Sequence, residues 1–201
     1  AVTVTDYAKA LRTALDALGI REFDAIGVWG GGLVGLELAR LAPKRVRRLA
    51  LAGPLVLDAA LQRELRRRYA PDIRIDAHGG HLLQAWQFVR DHGNYWPWYD
   101  NTREAIIPTA DSLDTAVVHQ RVLEIFRAPD AWRRALRAHF SYPAKSRLRA
   151  VKCPTLLAAA DGDPLRPYAL AASRALPQLP FCALPRDPRE WAQALMPFLD
   201  A

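Results

Sequence analysis

Two apolar rhythms alternate along the chain, one helical and one of short continuous runs. From Thr5 to Leu18 the apolar residues Tyr7, Ala8, Leu11, Leu15 and Leu18 fall at helical spacing, with Thr5 or Asp6 as candidate cap and Gly19 as the stop. Phe23 to Trp29 is a short apolar run, which predicts a buried strand, and Gly30-Gly31-Gly32 follows as a sharp turn. Leu33 to Leu41 returns to helical spacing and stops at Pro43. Val46 to Ala52 is a second buried strand, closed by Gly53-Pro54. Strand, turn, helix, strand implies a parallel sheet with a crossover helix.

The middle of the chain, about Asp58 to Lys145, changes character. It holds four of the six tryptophans and all five histidines, and its apolar spacing is helical. After it, Pro154 to Ala160 predicts another buried strand ending at Asp161-Gly162-Asp163, and Tyr168 to Leu176 a helix. Phe181 to Leu184 is a short strand and Pro188 to Leu199 a final helix. The pattern therefore predicts an α/β fold. Residues 1–57 and 146–201 form a parallel sheet with flanking helices, and residues 58–145 form an inserted helical segment.

Composition narrows the partners. With 201 residues, 51% hydrophobic and 24% charged, the chain can bury a sizeable core as one domain. The net charge of +7 is carried mostly by arginine, but no basic run is interleaved with aromatics, so neither a nucleic-acid nor a membrane partner is expected. Arg63, Arg66, Arg67 and Arg68 read as a solvated helix face, with an anion site as the alternative. Cys153 and Cys182 form neither a CxxC pair nor a metal-ligand spacing. No metal and no cofactor is implied. Without a signal peptide or a membrane-length apolar run, a reduced cytoplasmic setting is the expectation. The chain begins at Ala1, already close to a helix, so either an initiator methionine was removed or something upstream is missing.

The stretch from Tyr7 to Pro54 carries a family resemblance. A helix ends in Leu18-Gly19-Ile20, and a strand and a glycine-flanked turn follow. Leu38-Ala39, Pro43 and Arg45-Val46 then lead into the next strand. This is similar to the α/β-hydrolase family from the helix before its nucleophile elbow onward. The acidic loop after residues 155–160 and the closing Pro197-Phe198-Leu199 fit the same template. His81-Leu82, Trp86, Arg90-Asp91 and Pro97-Trp98-Tyr99 look like a helical cap seen in some bacterial hydrolase-like proteins. The fold expected is thus a partial α/β-hydrolase core with an inserted helical cap at 58–145.

In that family the elbow reads Gly-x-nucleophile-x-Gly, which falls here on Gly27-Val28-Trp29-Gly30-Gly31. The flanking glycines are expected because the turn leaves no room for a Cβ, and the helix after it offers N–H groups to a developing oxyanion. Trp29 stands in the nucleophile position. Indole is not a nucleophile, and its N–H can only donate a hydrogen bond. Asp161 and Asp163 both occupy the register of the family's acid, which is the favoured placement, with a polar loop and its Asp-Gly turn as the alternative. The family's histidine belongs after the last strand, where the sequence is Leu184-Pro185-Arg186-Asp187-Pro188, and no histidine follows His139. A triad without nucleophile and base cannot operate.

Other candidates surround this elbow. Gly30-Gly31-Gly32-Leu33-Val34-Gly35 also fits the dinucleotide fingerprint, which asks for an acid at the end of the next strand, about 20 residues on. That strand ends Leu51-Ala52-Gly53-Pro54 instead. His78-Gly79-Gly80 imitates a lipase oxyanion motif but follows the elbow, where the family has it before. His81, with Trp86 and Arg90 on one helix, either faces the site from above or is a hydrogen-bonded structural histidine. Trp96, Trp98 and Tyr99 either line an apolar pocket or close the cap onto the core.

The functional expectation is a small-molecule binder that does not hydrolyse, or a subunit of a split hydrolase-like assembly. The alternatives are a hydrolase or lyase using non-standard groups, such as His81 with Asp161 or Asp163, and a dinucleotide-binding fragment. The resemblance also implies that several strands precede the first helix seen here. Ala25, Ile26 and Val28 would then form a bare apolar edge, to be covered by a second chain supplying those strands, by a second copy, or by another strand.

Overall fold

The computed structural model describes residues 1–108 and 114–201. Four strands form one parallel sheet in the order β1-β2-β3-β4, with β1 at Phe23–Val28, β2 at Val46–Ala52, β3 at Thr155–Ala160 and β4 at Phe181–Leu184. Sequence order equals spatial order, as right-handed crossovers that all pass over one face produce. Helices α1 (Val4–Ala17) and α2 (Gly30–Leu41) precede and follow β1. Between β2 and β3 the chain carries α3 (Ala59–Arg68), α4 (Gly80–Asn94), α5 (Thr115–Arg127), α6 (Ala131–Ser141) and α7 (Ala144–Ala150), with an isolated antiparallel bridge between Tyr95 and Ile106. Helices α8 (Arg166–Ala175) and α9 (Trp191–Leu199) complete the chain. The crossover helices α2, α7 and α8 share one cluster on a single face of the sheet.

The two faces of the sheet are built differently. Leu49, Leu51 and Leu157 point to one face, where they join Leu33, Leu36 and Leu38 of α2 and Leu148 of α7. Ala50, Ala52, Ala158 and Ala160 point to the other, where small side chains let α9 settle Leu195 on the sheet. Each of the fully buried leucines removes enough apolar area from water to contribute about 1.5–3 kcal/mol. β3, an inner strand beside β2, is buried at every position, while β1 and β4 are the two edges.

Several boundaries differ from the sequence reading, each for a local reason. Thr3, not Thr5 or Asp6, caps α1. Asp6 is the third residue of its first turn and completes a capping box, with the Thr3 N–H donating to its carboxylate at 2.9 Å. Gly30-Gly31-Gly32 is not the turn itself but the first turn of α2, and the reversal is made at Trp29. The insertion is also less separate than the pattern suggested. Ala138 and Tyr142, from α6 and its C-terminal cap, lie in the main core beside α1 and α2. α7 begins at Ala144 and packs on α2. Arg63, Arg66, Arg67 and Arg68 are exposed on α3, as a solvated face requires. Among the described residues no helix is long and apolar enough to cross a membrane.

Candidate functional site

Parallel strands bring their C-terminal ends to one edge of the sheet, and loops leaving that edge meet there. The ladder runs one step past the strands: the Trp29 N–H donates to the Ala52 carbonyl at 2.9 Å, and the Gly53 N–H to that of Ala158 at 2.8 Å. Trp29, Gly53 and the loop after β3 are therefore held side by side. Trp29 has φ 49° and ψ −118°, and it is the only non-glycine residue at positive φ among those described. Such a conformation costs about 1–3 kcal/mol and persists only when its surroundings impose it.

Glycines make the turn sterically feasible, though not at the expected pair. A Cβ on Gly27 would lie 2.5 Å from the Gly32 Cα, backbone against backbone. Gly31, the second glycine of the elbow pattern, has open space where a Cβ would go. The crowding sits instead at Gly30, whose Cβ position is filled by the imidazole of His139, with Cε1 at 2.3 Å and Nδ1 at 2.4 Å.

Over Gly53, whose φ is +57°, lie the indole of Trp29 and the carboxyl of Asp163. The indole N–H donates to Asp163 Oδ2 in a long bond of 3.5 Å, and the Leu165 N–H donates to Oδ1 at 2.8 Å. Burial raises the Asp163 carboxyl above the ordinary range, and these two donors offset only part of that rise. Asp161, the other candidate acid, is exposed and has no hydrogen-bond partner among the described residues. Asp163 also lines a cavity of about 350 Å³ whose walls include Trp96, Ile106 and Pro164.

His139 is a residue beside the candidate site that the sequence does not point to. It lies on α6, one hundred and nine residues from the glycine it touches by their numbering (139 less 30), and no motif links them. Burial holds its imidazole below the ordinary histidine value. Gly30→Ala is expected to destabilise the fold by about 1–3 kcal/mol, because the new methyl meets a ring rather than a flexible chain end. His139→Ala should recover most of that loss in the double variant, and urea denaturation of the four proteins measures the coupling.

This strand, strained turn and helix, with an acid after a later strand, is the arrangement of a known fold. A sequence profile for the alpha/beta hydrolase fold matches residues 2–190. The chain belongs to the α/β-hydrolase family. Its sequence is 28% identical over 172 residues to the putative carbamate hydrolase RutD of Azorhizobium caulinodans, an alignment covering 84% of this chain and 59% of that protein. The chain thus spans about three-fifths of the length of that curated relative. Its fold is similar to that of a thermophilic esterase from Thermogutta terrifontis, with TM-score 0.69 and 21% identity over 99% of this chain and 72% of that one. A hydrolase from Pseudomonas aeruginosa has TM-score 0.64 and 23% identity, over 99% and 72%.

Family membership assigns the glycine turn to the elbow and not to a dinucleotide loop. The strand that follows ends at Ala52 and Gly53, with no acidic side chain for a ribose. His81 is not brought to Asp161 or Asp163. Its N–H and ring engage Asp76, at 2.9 and 3.2 Å, and its ring meets Phe126. Asp76 accepts the N–H groups of His78, Gly80 and His81 at the start of α4, which holds its carboxyl down at about 2. His78-Gly79-Gly80 is accordingly a helix start.

The remaining candidates divide. Trp86 packs in the cluster between α4 and α5, and Arg90 pairs with its neighbour Asp91 at 2.8 Å. Trp98 donates to the Tyr69 carbonyl at 2.8 Å, and the Tyr99 hydroxyl to Glu64 at 3.0 Å, so both close the helical segment onto itself. Trp96 alone of that cluster shares a cavity with Asp163. After β4, Asp187 accepts the Arg189 N–H at 2.9 Å and pairs with its guanidinium.

Proposed function

We propose that this chain binds a small, largely apolar molecule at the elbow and does not carry out acyl-enzyme hydrolysis. One observation carries the reading: Trp29 occupies the strained turn with its indole N–H directed to Asp163, so a hydrogen-bond donor bridges elbow and acid where a nucleophile and base would have to stand. The loop after β4 supports it, since the Asp187–Arg189 pair has no imidazole. The helices between β2 and β3 then act as a cap, and Asp163, which the Trp29 indole N–H reaches, also lines the cavity it shares with Trp96.

The same reading gives β1 a partner. Leu11, Leu18, Ile20, Ile26 and Trp29 are exposed along α1 and the sheet edge, with Ile26 49% and Trp29 55% accessible. A second chain that adds strands to β1 would cover this apolar row and pair the free backbone groups.

Neither the wild type nor Trp29→Ser is expected to hydrolyse 4-nitrophenyl acetate above the buffer rate, because serine at the turn still lacks a base. Turnover that co-purifies with wild-type protein and disappears in Asp163→Asn would overturn the proposal in favour of hydrolysis by non-standard groups. The specific feature favouring that second reading is the imidazole of His139 against the elbow.

A further inference from the structure

A second cavity, of about 430 Å³, lies where α6 and α7 meet the first turn of α1, and it shares no lining residue with the one beside Asp163. Arg134 and Arg137 of α6 and Arg147 of α7 all line it, and no carboxylate among the described residues does. A guanidinium keeps its charge at any working pH, so three positive charges surround one hollow. Their neighbour Arg133 is paired with Asp72, whereas Arg134 and Arg137 are exposed and have no ion-pair partner among the described residues. Arg147 is more constrained. Its Nε is buried without a hydrogen bond, 3.9 Å from Glu37 Oε2. Each Glu37 oxygen already accepts two hydrogen bonds, from Thr5 and Arg40 on one and from Arg40 and Tyr142 on the other, so its acceptor sites are filled. Glu37 and Arg40 cancel in charge, and the charge of Arg147 is left over. Asp6, near the same end of α1, is engaged with the N–H and hydroxyl of Thr3 at 2.9 and 2.7 Å.

We propose that this cavity is an anion site, separate from the elbow, and that it takes a small-molecule phosphate monoester. A carboxylate has two oxygens and is satisfied by one guanidinium fork. A phosphate monoester presents three terminal oxygens and close to two negative charges, which matches three arginines. The cavity is larger than a phosphate group, and Val4, Ala138 and Pro143 give the ester's organic part an apolar wall. The bound dianion also offsets a charge that the fold leaves unpaired beside Glu37.

Phenyl phosphate is the probe, with benzoate as the matched carboxylate, each titrated into the whole chain by calorimetry at fixed ionic strength. Phenyl phosphate should bind saturably, one per chain, and benzoate at least tenfold more weakly. Arg134→Gln with Arg137→Gln should weaken phenyl phosphate about tenfold or more while leaving the urea midpoint unchanged, since both side chains are exposed. Arg67→Gln with Arg174→Gln removes the same charge from exposed positions outside the cavity and should change the affinity less than twofold. No saturable binding of phenyl phosphate at millimolar concentration, benzoate binding as tightly, or equal weakening by the two pairs of substitutions would each overturn the assignment.

Discussion

Glu37→Leu should cost the fold about 3–5 kcal/mol, because this carboxylate is wholly buried and joins three parts of the chain. It sits on α2 and accepts the Thr5 hydroxyl of α1 at 2.7 Å and the Tyr142 hydroxyl beyond α6 at 2.9 Å. Arg40, one turn on, donates from two nitrogens at 2.7 and 2.9 Å. Removing the carboxylate leaves a buried tyrosine hydroxyl without its acceptor, whereas Arg40 can still reach water. Glu37→Gln keeps the shape and part of the bonding and should lose less, about 1–3 kcal/mol.

The same residue predicts an acid limb. Burial by itself would raise the Glu37 pKa, but the bonds from Arg40, Thr5 and Tyr142 outweigh it and bring the value from 4.5 down to about 2. A folded value below the unfolded one gives stability that is complete above pH 4.5 and is lost as pH falls towards 2. The share is on the order of 3 kcal/mol. Urea midpoints at pH 7 and pH 3 should therefore fall further apart in the wild type than in Glu37→Leu. Equal drops in the two proteins would show that other carboxylates govern the acid transition.

Gly27→Ala is the second large effect, with an expected loss of about 3 kcal/mol. The added methyl would lie 2.5 Å from the Gly32 Cα, 2.8 Å from its N and 2.9 Å from the Gly31 carbonyl oxygen. All three are backbone atoms, so relief requires α2 to move off β1, and the Trp29–Asp163 contact at the turn should go with it. Gly31→Ala, one residue from the same crowding, meets nothing and should be neutral or stabilising by about 0.4–1 kcal/mol through the unfolded state. Chemical denaturation gives both numbers, and the near-ultraviolet circular dichroism difference between each protein and its Trp29→Phe counterpart reports the turn. A Gly31→Ala loss as large as that of Gly27→Ala would refute the assignment of the crowding.

The strands were legible because each is a short apolar run between punctuating glycines and prolines, and β2 and β4 fall on the very residues the pattern marked. The elbow was legible because a strand-to-helix reversal needs glycine at Gly27 in any setting, a local backbone constraint that the sequence must state. Sequence also narrowed the acid to Asp161 or Asp163, but both fit the register. The fold treats the two differently: Asp163 is half-buried and accepts the Trp29 indole N–H, while Asp161 is exposed. His81 stood out in the sequence for its neighbours, yet those neighbours consume it: Asp76, five residues before it, takes its backbone N–H at the start of α4.

What the sequence by itself determined, then, is the order of strands and helices, the reversal at Trp29 and the family to which they belong, all of which follow from local spacing and backbone sterics. Tertiary structure alone decided that His139 meets Gly30, that Glu37 gathers Thr5 and Tyr142, and that the indole of Trp29 reaches Asp163. Those contacts join residues far apart in the chain, and their signal lies in how helices pack, which no single segment's periodicity encodes.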